Sequence, residues 1–243
     1  VLSKNDQKRI RKLRQKKYRG QWELFIAEGA KVVGELLQNG FEAEQIWSSM
    51  PDGFPHSIQV ASDQLAVLSG LETSPGLLAV FKQKLPPIPE QIKRALVLDG
   101  VRDPGNMGTL LRLADWFGLD AVLCTTDCVE IWNPKTVQSA MGSLGRVAVM
   151  VRPTSELTAL LSAHQLPILG AALEGDSIYS MEPIPQKFAL CMGSESHGFV
   201  SFSVDMLDQC VRIPRAPGRH TESLNVAVAA GILLGYFCKD SKW

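Results

Sequence analysis

The chain has 243 residues, 45% of them hydrophobic and 21% charged, with 25 Lys and Arg balanced by 25 Asp and Glu. That length buries one large core or two modest ones, and the composition is that of a globular protein, not a disordered or fibrous one. No apolar run approaches the ~18 residues a membrane-spanning helix needs, and the basic start has no apolar secretory stretch.

Charge balance does not extend to the first segment. Residues 1–20, VLSKNDQKRIRKLRQKKYRG, hold nine Lys or Arg against one acid, Asp6. Arg9, Arg11, Lys12, Arg14, Lys16, Lys17 and Arg19 are therefore candidate contacts to a polyanion, above all a nucleic acid. The alternative is a solvated helix face or a disordered tail. WELFIAEG then reads as a strand entering a turn. In GAKVVGELLQNG, Val32, Val33, Leu36 and Leu37 share one helical face, and Gly40 marks the stop. QIWSS, SIQVA and LLAVFKQ read as short strands, so residues 1–90 are expected to form a small α/β domain. LPPIPEQIKR, residues 85–94, has three prolines in five residues and reads as a linker.

A second domain is expected over residues 91–243. Short, near-continuous apolar runs recur there: RALVLDG, DAVLCTT, RVAVMV, PILGAA, KFALCMG and CVRIP. Such runs suit strands buried on both faces, and helical stretches lie between them. The alternation predicts an α/β fold with a doubly wound, mostly parallel sheet. DGVRDPGNMGTLLRLADWFG, residues 99–118, reads as a strand end, a glycine-punctuated loop and a helix with Leu110, Leu111 and Ala114 on one face. Asn133 and Pro134 predict the cap and first turn of another helix, over PKTVQSAMGSLG.

Five cysteines occur without a CxxC pair, which points to a reducing, cytoplasmic compartment. Four scattered histidines lack metal-ligand spacing, so no metal site is expected. Open α/β sheets bind ligands at the carboxyl ends of their strands. Three strand ends carry unusual polar residues: DPGNMGTLLR, GSESHG and IPRAPGRHTESLNVAVAAG. None is a G-x-G-x-x-G dinucleotide turn or a P-loop, so a dinucleotide-dependent oxidoreductase is disfavoured.

Taken together and in order, these stretches resemble the SpoU/TrmH family of RNA ribose methyltransferases, within the SPOUT superfamily. The first motif matches at Asp103, Pro104, Asn106, Gly108, Arg112 and Ala114. The second matches at Gly193, Ser194, Glu195 and Gly198, and the third at Ile213, Pro214, Ser223, Leu224, Asn225, Val226, Val228 and Ala229. The segment NPKTVQSAMGSLGR is similar to a further family segment, and the start of the chain resembles the substrate-binding domain that often precedes the catalytic one. The resemblance implies methyl transfer from S-adenosylmethionine to a ribose 2′-hydroxyl of rRNA or tRNA, a deep trefoil knot, and a homodimer. It implies cofactor contacts at Gly193, Ser194, Gly198, Ile213 and Leu224, and catalytic roles for Asn106, Arg112, Glu195, Ser223 and Asn225. It also casts Arg112 as the base. A guanidinium stays protonated in proteins, so a positioning role on an RNA phosphate is physically easier. Glu195 is expected to fix Arg112 or Asn106, or to accept from a helix N-terminus. A non-catalytic RNA-binding or ribosome-assembly protein is the other reading, with rRNA favoured over tRNA as substrate. The sequence departs from the family at Ser196, and in a longer third-motif loop whose Arg215, Arg219 and His220 add positive charge.

Overall fold

A computed structural model describes residues 2–195 and 197–240, so the departure at Ser196 lies outside the described residues. The chain divides into two compact units, residues 1–85 with 130–146, and residues 86–129 with 147–243. The expected break near residue 90 falls at 85/86, and the chain crosses between the units twice more, at 129/130 and 146/147.

In the first unit the basic segment folds as α1 (Lys4–Leu13) and α2 (Lys16–Trp22). Ser3 caps α1 by accepting from the Asp6 N–H at 3.1 Å, and Asp6 lies in the first turn, where the helix dipole favours an acid. Ile10 and Leu13 bury one face of α1 in a cluster with Leu24, Ile26, Trp47 and Leu78. Next come β1 (Leu24–Glu28), α3 (Ala30–Gln38), β2 (Ala43–Ser48), β3 (Ile58–Gln59), α4 (Ser62–Ala66) and β4 (Leu77–Lys82). Helix α3 ends as the sequence predicts. Gly40 takes a positive φ of 78°, its N–H reaches the Leu37 carbonyl, and the Phe41 N–H reaches Leu36. The sheet order is β1-β4-β2-β3, with β4 antiparallel to both neighbours. The predicted strand around SIQVA shrinks to two residues paired with the end of β2.

Residues 130–146 join this unit because Trp132 enters its aromatic cluster. Its ring centroid is 4.7 Å from Phe25, which stacks on Phe81 at 5.5 Å. Glu130 adds a two-pronged ion pair with Arg19, through bonds of 3.0 and 2.6 Å.

In the second unit β5 (Arg94–Leu98), α5 (Pro104–Trp116) and β6 (Ala121–Cys124) precede the excursion that carries α6 (Pro134–Ala140). Then follow β7 (Ala148–Val151), α7 (Thr154–Ala163), β8 (Ile168–Ser177), β9 (Phe188–Met192), β10 (Gln209–Arg212) and α8 (Val226–Phe237). All six predicted strands form, in the order β10-β8-β9-β5-β6-β7, and every neighbouring pair is parallel. Leu157 and Leu161 of α7 cover Val97, Leu123 and Ala189 on one face. Helices α5 and α8 pack together, and Phe237 meets Phe188 of β9 at 5.3 Å. The chain runs from edge strand β10 back to α8 beside α5, a return consistent with the trefoil knot of SPOUT proteins.

One prediction is corrected at α5. The glycine-punctuated loop is the first turn of the helix itself. Asp103 is its N-cap, accepting from the Asn106 N–H at 2.8 Å, and Pro104 starts it with φ already set for a helix.

Candidate active site

The three motif stretches meet at the carboxyl ends of β5, β9 and β10. Asn106 lies in the first turn of α5, Glu195 in the turn after β9, and Asn225 caps α8. Three bonds join them. Asn106 Nδ2 donates to Glu195 Oε1 at 2.9 Å, and Asn225 Nδ2 donates to the same oxygen at 2.7 Å and to Asn106 Oδ1 at 3.0 Å. Glu195 Oε1 also accepts from the Val226 N–H at 3.1 Å, so the carboxylate sits at the positive end of α8. Asn225 Oδ1 accepts from the N–H groups of Ala227 and Val228 at 3.0 and 3.2 Å. Of the alternatives for Glu195, the bond to Asn106 and the helix N-terminus are realised; no bond to Arg112 forms.

Arg112 lies further along α5, exposed, with no hydrogen-bond or ion-pair partner among the described residues. Ser223 is exposed before α8 and makes no hydrogen bond to the three-residue cluster.

The cofactor candidates occupy two loops. Ser194 and Gly198 close a tight turn through paired backbone bonds of 2.7 and 2.9 Å. Gly193 must lack a side chain there, because a Cβ would lie 2.5 Å from the Gly198 carbonyl carbon. Ile213 is half-buried after β10, and Leu224 is 46% exposed. Between Arg212 and Val226 the described backbone forms neither helix nor strand. Two apolar side chains beside backbone groups outside regular structure fit a cofactor with an adenine ring and a polar tail.

Sequence reasoning missed Asp99. This fully buried carboxylate at the end of β5 accepts from the backbone N–H groups of Val200, Ser201 and Phe202 at 2.6 to 3.0 Å. It ties the chain just beyond GSESHG to the central strand. The only signal was an acid ending an otherwise apolar run.

Among the basic-segment candidates, Arg19 and Arg14 require correction. Arg19 is 2% exposed, held by Glu130 and by the Leu13 carbonyl at 2.8 Å. Arg14 pairs with buried Glu28 at 2.9 Å, and Arg9 pairs with Glu44. Burial of Ile10 and Leu13 brings Arg14 and Arg19 to the carboxylates of Glu28 and Glu130, whereas the Arg9–Glu44 pair lies at the surface. Arg11, Lys16 and Lys17 are exposed, and Lys12 is half-exposed.

Cys128 follows β6 in the second unit, its Sγ 3.1 Å from the Leu98 carbonyl. The neighbouring Cys124 thiol lowers the Cys128 pKa to about 7, aided by Thr125 and the Val101 and Gly100 backbone, against the effect of burial. Among the described residues no group of three or more His, Cys, Asp or Glu could hold a metal, and no helix is long and apolar enough to cross a membrane.

The second unit is thus a parallel α/β fold whose strand ends gather an Asn–Glu–Asn cluster, with Arg112 of α5 exposed and without a partner among the described residues. The chain belongs to the SpoU rRNA methylase family, whose model matches residues 93–235. An MRM3-like substrate binding domain matches residues 4–79. The chain is 32% identical over 235 residues to the 23S rRNA (guanosine(2553)-2′-O)-methyltransferase RlmP of Bacillus subtilis (strain 168), covering 92% of each protein. A TrmH-family structure from Porphyromonas gingivalis superposes with a TM-score of 0.84 at 33% identity, over 99% of this chain and 100% of that one. An AdoMet-bound rRNA methyltransferase from Sinorhizobium meliloti shares the fold, with a TM-score of 0.86 at 24% identity, over 100% and 98% of the two chains.

Proposed function

We propose that this chain is a cytoplasmic enzyme that transfers a methyl group from S-adenosylmethionine to a ribose 2′-hydroxyl of ribosomal RNA. The observation that carries the reading is the Asn106–Glu195–Asn225 cluster at the N-terminus of α8, on the same unit as Arg112, which has no partner among the described residues. Its relatives named for 2′-O-methylation of 23S rRNA support the choice of substrate.

Bound S-adenosylmethionine supplies an electrophilic methyl group on a sulfonium. Gly193, Ser194 and Gly198 offer it close backbone, and Ile213 and Leu224 offer apolar walls. Arg112 forks onto an RNA phosphate and holds the ribose in line for attack, which is where most of the rate advantage of orientation arises. Asn106 and Asn225 fix the Glu195 carboxylate through Oε1. Its Oε2, without a partner among the described residues, is left to accept a hydrogen bond from the ribose hydroxyl. Ser223 adds a further hydroxyl at the mouth. The ribose oxygen gains the methyl as the methyl–sulfur bond breaks to leave a neutral thioether, and its proton passes by way of the Glu195 carboxylate to solvent.

The test supplies purified protein with methyl-labelled cofactor and ribosomal RNA lacking the modification. Label is expected on a ribose oxygen. Label confined to bases overturns the reaction, and label on tRNA alone redirects the substrate.

The same unit supports a homodimer. Trp116 of α5 is 80% exposed, and Val228 and Ile232 of α8 are 52% and 36% exposed, too much apolar surface on two packed helices to leave in water. Trp116→Glu should shift the protein toward monomer in sedimentation; an unchanged mass excludes this face.

A further inference from the structure

The first unit carries a feature that phosphate binding does not require. Tyr18 and Trp22 lie four residues apart on α2 and so share one face of the helix. Their ring centroids are 5.2 Å apart, and both rings are half-exposed. The Lys12 ammonium lies 4.8 Å from the Tyr18 ring centroid and 5.8 Å from that of Trp22, and Lys17 lies 5.9 Å from Tyr18. Trp22 also packs against the core cluster below, which holds the pair in place. On the same two helices, α1 and α2, Lys4, Lys8, Arg11, Lys16 and Lys17 are exposed, with no ion-pair partner among the described residues.

We propose that Tyr18 and Trp22 stack an unpaired nucleobase of the RNA substrate while the surrounding lysines hold its phosphates. A paired aromatic surface on a helix hairpin rich in exposed cations is the chemistry of a single-stranded nucleic-acid platform, since every base has a π-face. A uniform duplex hides its bases and leaves the rings without a role. Lys12 occupies the ring faces in the free protein, and a base displaces it toward a phosphate. The first unit therefore selects RNA with a loop or bulge. This rests on the proposed RNA substrate but not on methyl transfer.

The experiment measures Kd of the full chain for a labelled RNA hairpin with an unpaired loop, and for a blunt duplex of the same stem, at several salt concentrations. Tyr18→Leu is the main variant, because Trp22 contributes to the core. It should weaken hairpin binding about 5- to 20-fold, leave duplex binding unchanged, and leave the salt slope unchanged. Tyr18→Phe should retain affinity. The double variant Lys16→Ala/Lys17→Ala should weaken both RNAs and flatten the slope by about 1.5 to 2. Equal loss on both RNAs, no loss on either, or a changed slope in Tyr18→Leu overturns the platform. Intact binding with no transfer in the parent protein would sink the reaction while leaving the platform standing, and absence of RNA binding would sink both.

Discussion

Arg19 and Arg112 are both arginines that the sequence offers to RNA, and the fold treats them oppositely. In the first unit Arg19 is 2% exposed, and each side of its guanidinium is committed to Glu130 or a backbone carbonyl. In the second unit Arg112 is exposed and has no partner among the described residues. The first sits in a charge-dense segment, the second in a helix with few charges. Density of charge thus says little about availability of charge. What decides is whether the helix that carries the arginine also buries an apolar face beside an internal carboxylate.

The largest expected effect breaks the comparison at Arg112. Arg112→Ala should lower methyl transfer by about 1000-fold, roughly 4 kcal/mol in the barrier, with S-adenosylmethionine affinity unchanged by calorimetry. Arg112→Lys should recover only part, because an ammonium cannot fork onto a phosphate. Full activity in the alanine variant removes Arg112 from the mechanism. At Arg19 the outcome should invert. Arg19→Ala leaves the Glu130 carboxylate unpaired and should cost about 3 kcal/mol of unfolding free energy in denaturant titration. Its salt dependence of RNA binding should match the parent, and a shallower slope would restore Arg19 to the RNA surface.

Asp99 sharpens the contrast by showing a buried charge that serves the site. Its three backbone donors have no other acceptor among the described residues, so Asp99→Asn should cost about 2 kcal/mol of stability. Transfer should fall with it, because the chain following Glu195 loses its anchor. Unchanged thermal unfolding would show that the three amides find other acceptors.

Much of the second unit was legible because its strands are buried on both faces, which leaves runs such as ALVL and FALCM almost free of polar residues. Convergence of Asn106, Glu195 and Asn225 was legible only through the order of three motifs, since nothing local in any one of them points to the others. The start of α5 was misread because Gly105 and Gly108 signal a loop, while the Asp103 cap and Pro104 outweigh them. Membership of residues 130–146 in the first unit was not legible at all. It depends on Trp132 fitting among Phe25, Phe41 and Phe81, a long-range packing event without a periodic signature. The ion pairs of Arg9, Arg14 and Arg19 were hidden for the same reason, as their carboxylates lie 14 to 111 residues away.

The smallest effect tests the same rule on a thiol. Cys124, Cys128 and Cys191 lie in or just after the strand ends, but their surroundings differ. The Cys124 pKa is raised by its contact with Cys128 and by burial, and that of Cys191 is raised by burial and by the charge of Asp99. Only the partially accessible Cys128 is lowered, to about 7, because Cys124 and nearby donors favour its thiolate. The sign follows: a depressed pKa in the folded state contributes stability above the ordinary thiol pKa of 9.0, and that contribution is lost as pH falls through about 7. The thiolate is the reactive form, so alkylation of Cys128 by iodoacetamide should rise with a midpoint near pH 7, followed by peptide mass spectrometry. Cys124 and Cys191 should remain unmodified in the folded protein over the same range. If Cys128 instead reacts with the midpoint of an ordinary free thiol, the Cys124 contact does not hold its charge. Sequence proximity would then be as poor a guide to thiol chemistry as charge density is to the arginines.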